Sequence, residues 1–194
     1  MNFKFNYSIS KEDKVKKIGF KPIVVWFYGL SGSGKSSLLN QLEKNLFINN
    51  IISTVLDGDE LRDGLNYDLG FTNKDRKENL RRTSEVAKIL INNGHIVLCA
   101  FITPLNSQRE LINKILGRDN IFWIYVDTPF DVCASRDTKG LYKKALQGKI
   151  KNFTSVDQNF EVSDHFDLKI NGLDDIDKCA DEIFTIIFNK INGK

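Results

Sequence analysis

Ile23-Val24-Val25-Trp26-Phe27-Tyr28-Gly29-Leu30-Ser31-Gly32-Ser33-Gly34-Lys35-Ser36 is the stretch whose reading decides the fold. Its first six residues form a continuous apolar run of the length expected for a strand buried on both faces. The next eight fit G-x-x-x-x-G-K-[ST], and Leu38, Leu39, Leu42 and Leu46 then recur at helical spacing. Strand, glycine-rich turn and helix form the setting in which this motif cradles a polyphosphate. The glycines let backbone N–H groups converge on phosphate oxygens, and the helix N-terminus adds partial positive charge. Lys35 is placed to reach the β- and γ-phosphates, and the Ser36 hydroxyl to bind Mg²⁺. A nucleoside triphosphate site is therefore expected at Gly29, Leu30, Ser31, Gly32, Ser33, Gly34, Lys35, Ser36 and Ser37.

Outward from this stretch, apolar runs at Ile51 to Leu56, Ile96 to Ile102, Ile121 to Val126 and Leu168 to Ile170 read as four more strands. Leu80, Ser84, Ala87 and Leu90/Ile91 mark one face of a helix from about Glu78 to Asn92, closed by Asn93-Gly94. Further helices carry Leu111, Ile112, Ile115 and Leu116, start near Pro129, and set Ile176, Cys179, Ile183, Ile187 and Ile191 in phase. Lys11 to Lys17 reads as a solvated arm or short helix, and Arg136 to Lys151 as a polar, glycine-punctuated stretch. Strands alternating with helices predict an α/β fold, a doubly wound five-stranded parallel sheet. Residues 1–21 form an N-terminal arm and 22–194 the domain. Ligands of such sheets gather at the carboxyl ends of the strands.

Composition narrows the function. The chain has 194 residues, 41% hydrophobic and 27% charged, which fits one globular domain. A formal charge of +3 is too small for a nucleic-acid-coating surface. Ile23 to Leu30 falls far short of the ~20 apolar residues that cross a bilayer. Met1 to Ser10 lacks the apolar core of a signal peptide. Cys99, Cys133 and Cys179 match neither a zinc pattern nor a disulfide framework and read as reduced, buried thiols. A cytoplasmic protein with small-molecule partners, and neither nucleic acid nor membrane, is expected. A GTPase is disfavoured, because Asn73-Lys74-Asp75-Arg76 has its acid one place too early for guanine recognition.

The second predicted strand ends in Asp57-Gly58-Asp59-Glu60-Leu61-Arg62, two carboxylates and a guanidinium beside the phosphate loop. Asp68-Leu69-Gly70-Phe71, Asp75-Arg76, Asn79-Leu80-Arg81-Arg82, Glu85-Val86-Ala87-Lys88 and Phe101-Ile102-Thr103-Pro104 follow. Val126-Asp127-Thr128-Pro129, Arg136-Asp137-Thr138-Lys139-Gly140-Leu141-Tyr142-Lys143-Lys144-Ala145 and Ile150-Lys151-Asn152-Phe153-Thr154 complete the series. With Trp26-Phe27 and the phosphate loop, this series resembles the adenylylsulfate (APS) kinase family over about Val24 to Thr154. The resemblance implies an ATP-dependent kinase that uses Mg²⁺ and phosphorylates the ribose 3′-hydroxyl of adenosine 5′-phosphosulfate.

The roles it implies are specific. Lys35, Asp59 and Lys139 would be catalytic, with Asp59 addressing the acceptor hydroxyl and, with Ser36, holding Mg²⁺. Arg62, Arg76 and Asn79 would hold the acceptor's phosphosulfate and ribose, and Phe71 and Phe153 would stack on its base. Ile102 and Thr103 would line the pocket, and Lys139, Gly140 and Leu141 would belong to a lid at about 136–154. A homodimer is also implied. Taken alone, Phe71 and Phe153 read more readily as core residues, and Arg81 and Arg82 as helix-surface charges.

The sequence departs from the family at Thr103, where Ser is usual, at Tyr28, where Thr is usual, and at Glu60 and Asp63, where Asn and His are common. The last two bring negative charge toward the acceptor site. A different nucleoside 5′-diphosphate-like acceptor, such as cytidine diphosphoramidate in capsule modification, is therefore the alternative, and a non-catalytic P-loop binding protein a further one.

Overall fold

Val24–Tyr28 forms β1, the central strand of a five-stranded, all-parallel sheet. On one side it pairs with β3 (Ile96–Phe101), which carries β2 (Ser53–Asp57) on its far edge. On the other it pairs with β4 (Ile121–Asp127), which carries β5 (Leu168–Asn171). The order is β2-β3-β1-β4-β5, and Val24 lies opposite both Val97 and Ile121. This computed structural model describes residues 7–137, 139–150, 152–162 and 164–193. Thr138 and Lys151 of the family-like series, and Met1 to Asn6 of the expected arm, lie outside the described residues.

Every residue of β1 and β3 is buried, as a strand covered on both faces requires. Alternation along β1 divides the core in two. Val25 and Phe27 pack with α2 (Lys35–Ile48) and α8 (Ile176–Ile191). Val24, Trp26 and Tyr28 face α4 (Asn73–Asn92) and α5 (Asn106–Leu116). Helices on both faces make the sheet doubly wound, as expected.

Where expectation and structure differ, local chemistry explains the shift. α4 begins at Asn73 instead of near Glu78 because Thr72 caps it: its Oγ1 accepts from the Asp75 N–H at 3.2 Å and donates to the Asp75 carboxylate at 2.7 Å. That first turn is polar, so apolar periodicity misses it. β2 starts two residues late, since Asn50 turns at φ +59° and leaves Ile51 in the core but outside the strand. Pro129 caps α6 (Phe130–Arg136) instead of joining its first turn. α3 (Gly58–Asp63) and α7 (Leu141–Leu146) are too short to establish a period and were not foreseen.

Lys11–Ile18 folds as α1, with a Ser10–Asp13 capping box and no buried residue. Lys14 Nζ ties it to Asn93 Oδ1 at 2.5 Å. All three cysteines are free and buried. Among the described residues no helix is long and apolar enough to cross a membrane.

Candidate active site

The chain leaves β1 at Gly29, whose φ is +150° and where a Cβ would lie 2.5 Å from the Val126 carbonyl oxygen. Only glycine allows the loop to turn away so close to β4. The loop returns to helical geometry at Lys35, the first residue of α2. Lys35 is 8% exposed and its ammonium donates to the carbonyls of Gly29 at 3.0 Å and Leu30 at 2.5 Å. Burial pulls its pKa down to about 8, against the opposing influence of Cys133, Asp57 and Asp59. A cation held this way is short of negative charge, which a polyphosphate supplies.

The loop is braced from below. Thr128 Oγ1 donates to Ser33 O at 2.8 Å, and Gly172 packs so tightly there that a Cβ would overlap Thr128. Arg136 bridges Gly32 O at 3.2 Å and Gly172 O at 3.0 Å, and the Tyr142 hydroxyl donates to Ser31 O at 2.8 Å.

The Asp57-Gly58-Asp59 turn lies alongside. Asp57 caps α3, accepting from the Asp59 N–H at 2.9 Å with one oxygen and from the Ser36 hydroxyl at 2.8 Å with the other. Asp59 points elsewhere: its carboxylate forms an ion pair with Lys139, across the mouth of the site. Ser36, expected to share a metal with Asp59, thus hydrogen-bonds to Asp57, and the α3 cap directs the two carboxylates apart.

On the far side, Arg62 donates to Leu69 O at 3.2 Å and Gly70 O at 2.8 Å. Arg76 donates to Phe71 O at 3.0 Å and Asn152 O at 2.7 Å. Burial lowers the pKa of each guanidinium, and Arg62 depresses that of Arg76 further, so the pair favours an anion. Phe71 is 56% exposed, with the Arg62 guanidinium 4.4 Å from its ring centre. Phe153 is only 7% exposed and sits edge-on to Tyr142 at 4.9 Å, part of a small core with Cys133 and Ala145. Thr103 is buried at φ +42°, its Oγ1 accepting from Trp26 Nε1 at 3.0 Å and its carbonyl from Arg109 at 2.6 Å. It is a wall residue.

One cavity of about 840 Å³ joins these parts. Of the residues expected from sequence, Ser31 to Ser37, Asp59, Arg62, Phe71, Arg76, Asn79, Ile102, Thr103, Lys139, Leu141 and Phe153 line it. Gly29, Leu30 and Gly140 do not: the first two shape the loop, and Gly140 caps α7 at φ +63°. Glu60 and Asp63 are exposed on α3 and do not line the cavity. Sequence reasoning passed over Asp57 as a partner of Ser36 and Arg136 as a cavity residue, although both lie inside quoted motifs.

A family model described as adenylylsulphate kinase matches residues 21–171. The adenylyl-sulfate kinase of Prochlorococcus marinus is 46% identical over 179 residues, 92% of this chain and 89% of that one. That of Clostridium kluyveri is 43% identical over 184 residues, 94% and 92% of the two chains. The solved structure of the Mycobacterium tuberculosis APS kinase in complex with AMPPNP and APS has a TM-score of 0.83 at 44% identity, covering 87% of this chain and 98% of that one. Fold and site define a P-loop kinase, an ATP-dependent phosphotransferase with a hydroxyl group as acceptor. The chain belongs to the adenylyl-sulfate kinase family.

Proposed function

We propose that this chain transfers the γ-phosphoryl group of ATP to the ribose 3′-hydroxyl of adenosine 5′-phosphosulfate, giving 3′-phosphoadenylylsulfate and ADP. One observation carries the reading. A single cavity is lined by Lys35 and Ser36 of the phosphate loop and by Arg62, Phe71 and Arg76, with Asp59 also in its wall and ion-paired to Lys139. Phosphoryl transfer needs such positioning and charge neutralisation above all.

In this reading the backbone of Ser31 to Ser36 and the Lys35 ammonium hold the polyphosphate, Gly29 and Leu30 shape the loop, and Ser37 lines the same cavity. Arg62, Arg76 and Asn79 take the acceptor's anionic tail and ribose, and Phe71 lies against its base. Asp59 orients or deprotonates the 3′-hydroxyl. Lys139 neutralises charge on the transferring group once a lid at about 136–154 closes, and Gly140 and Leu141 belong to that lid. The Ser36 hydroxyl and Asp57 carboxylate, 2.8 Å apart, are hard oxygen donors that suit Mg²⁺. When bound, that ion would neutralise charge on the β- and γ-phosphates. The reaction is placed in the cytoplasm, and family resemblance supports a homodimer.

The test is kcat/KM measured side by side for adenylylsulfate and for cytidine diphosphate analogues. Adenylylsulfate is expected to be the better acceptor. Turnover of it at least about a hundredfold worse than of a cytidine compound would replace the acceptor and keep the 3′-kinase chemistry. Asp59→Asn is expected to lower kcat by roughly 10²–10⁴, the scale of a general base. An effect confined to KM would make Asp59 a binding residue.

A further inference from the structure

We propose that Asn66 is a positioning residue of the acceptor site, setting which end of the Asn79 side-chain amide faces the cavity. Asn66 lies on the loop between α3 and α4 and is fully buried. Its backbone is fixed on both sides, the N–H donating to Leu61 O at 2.7 Å and the carbonyl accepting from the Leu69 N–H at 3.0 Å. Its Nδ2 donates to Asn79 Oδ1 at 2.7 Å. Asn79, on α4 one turn beyond Arg76, lines the cavity, and its own Nδ2 makes no hydrogen bond among the described residues.

A primary amide donates at one end and accepts at the other. With its carbonyl occupied by Asn66, Asn79 offers its N–H donors to whatever fills the cavity. Ribose, phosphate and sulfate oxygens of a nucleotide acceptor present lone pairs there, and a donor is what they need. The opposite rotamer would aim a carbonyl oxygen at an anion.

Two observations separate this role from simple anchoring of the loop. The same loop is already fastened to α4 by the bidentate Arg82–Asp68 pair, at 2.7 and 2.8 Å. Moreover, Asn66 Oδ1 is buried without a partner among the described residues, a destabilising arrangement that an apolar side chain of similar size would avoid. What an apolar residue lacks is the donor directed at Asn79.

The inference rests on the reading of Asn79 as an acceptor-binding residue, and a double-mutant cycle distinguishes the two. Asn66→Leu, which fills the same space without a donor, Asn66→Ala, Asn79→Ala and Asn66→Leu/Asn79→Ala are made in the full chain. For each, kcat, KM for adenylylsulfate, KM for ATP and the melting temperature are measured. Asn66→Leu is expected to raise the adenylylsulfate KM roughly tenfold while leaving the ATP KM unchanged. In the Asn79→Ala background the same substitution is expected to add nothing.

An Asn66→Leu effect of equal size in both backgrounds would overturn the proposal and make Asn66 a support of the loop. A normal adenylylsulfate KM in both folded Asn66 variants would overturn it as well. A normal adenylylsulfate KM in Asn79→Ala, or a wild-type chain inactive on that acceptor, would instead defeat the acceptor-site reading, and the proposal with it.

Discussion

Lys35 shows how one residue couples ionisation to ligand. Its pKa in the fold, about 8, lies below the ordinary 10.5 because burial disfavours the ammonium. The unfolded chain therefore holds more protons between those values, so this group makes stability rise with pH through that window and contributes nothing to the pH slope below it. A polyphosphate restores the ammonium. Nucleotide binding at about pH 8.5 should take up a large fraction of a proton, vanishing near pH 6.5 and in Lys35→Ala, as read by calorimetry in buffers of different ionisation enthalpy. Binding without uptake at the higher pH would remove Lys35 from the phosphate site. The two phenylalanines expected to sandwich a base divide differently. Phe71→Ala should weaken acceptor binding by about 1–3 kcal/mol at little cost in stability, because its ring is exposed. Phe153→Ala should also destabilise the fold by about 3–5 kcal/mol, because its ring is buried against Tyr142. Equal melting temperatures for the two variants would contradict that division. The identity of both residues was readable in the motif series, but their unequal burial was not, since burial depends on α7, which is too short to announce itself.

At the scale of elements, the site is assembled from helix starts. α2 opens with Lys35, α3 is capped by the Asp57 that accepts from Ser36, and α4 carries Arg76 and Asn79 in its first two turns. Helices that display functional groups near their N-termini depend on capping for register. Thr72→Ala should cost about 1 kcal/mol and lower the melting temperature by about 2–4 °C. It should also raise the acceptor KM, since fraying of the first turn of α4 displaces Arg76. A melting temperature and KM both equal to wild type would show that tertiary contacts alone hold that turn. These starts were the least legible elements in the sequence. Apolar periodicity locates the middle of a helix, where Leu80, Ala87 and Ile91 face the sheet, and is silent over polar first turns such as Asn73 to Lys77. The strands were legible to within two residues because each is a short apolar run between turn residues.

Across the whole molecule, the phosphate loop and the residues proposed to bind the acceptor line one cavity. The proposed homodimer predicts sedimentation at micromolar concentration with twice the mass of 22.2 kDa; a monomer alone would remove it. The strand order was not legible from spacing, because alternation of strands and helices permits several orders and only hydrogen-bonded register chooses among them. That order has a consequence for synthesis. β1 is made first yet occupies the centre, and its neighbours are Val97–Phe101 and Ile121–Tyr125. As the chain emerges from the ribosome, the strand that carries the phosphate loop waits, apolar and unpaired, until Val97–Phe101 has followed it. An apolar strand that the fold buries completely is thus exposed early in synthesis. Chaperone capture of stalled nascent chains should be strongest for those ending before residue 100 and should fall once residue 127 has cleared the exit tunnel.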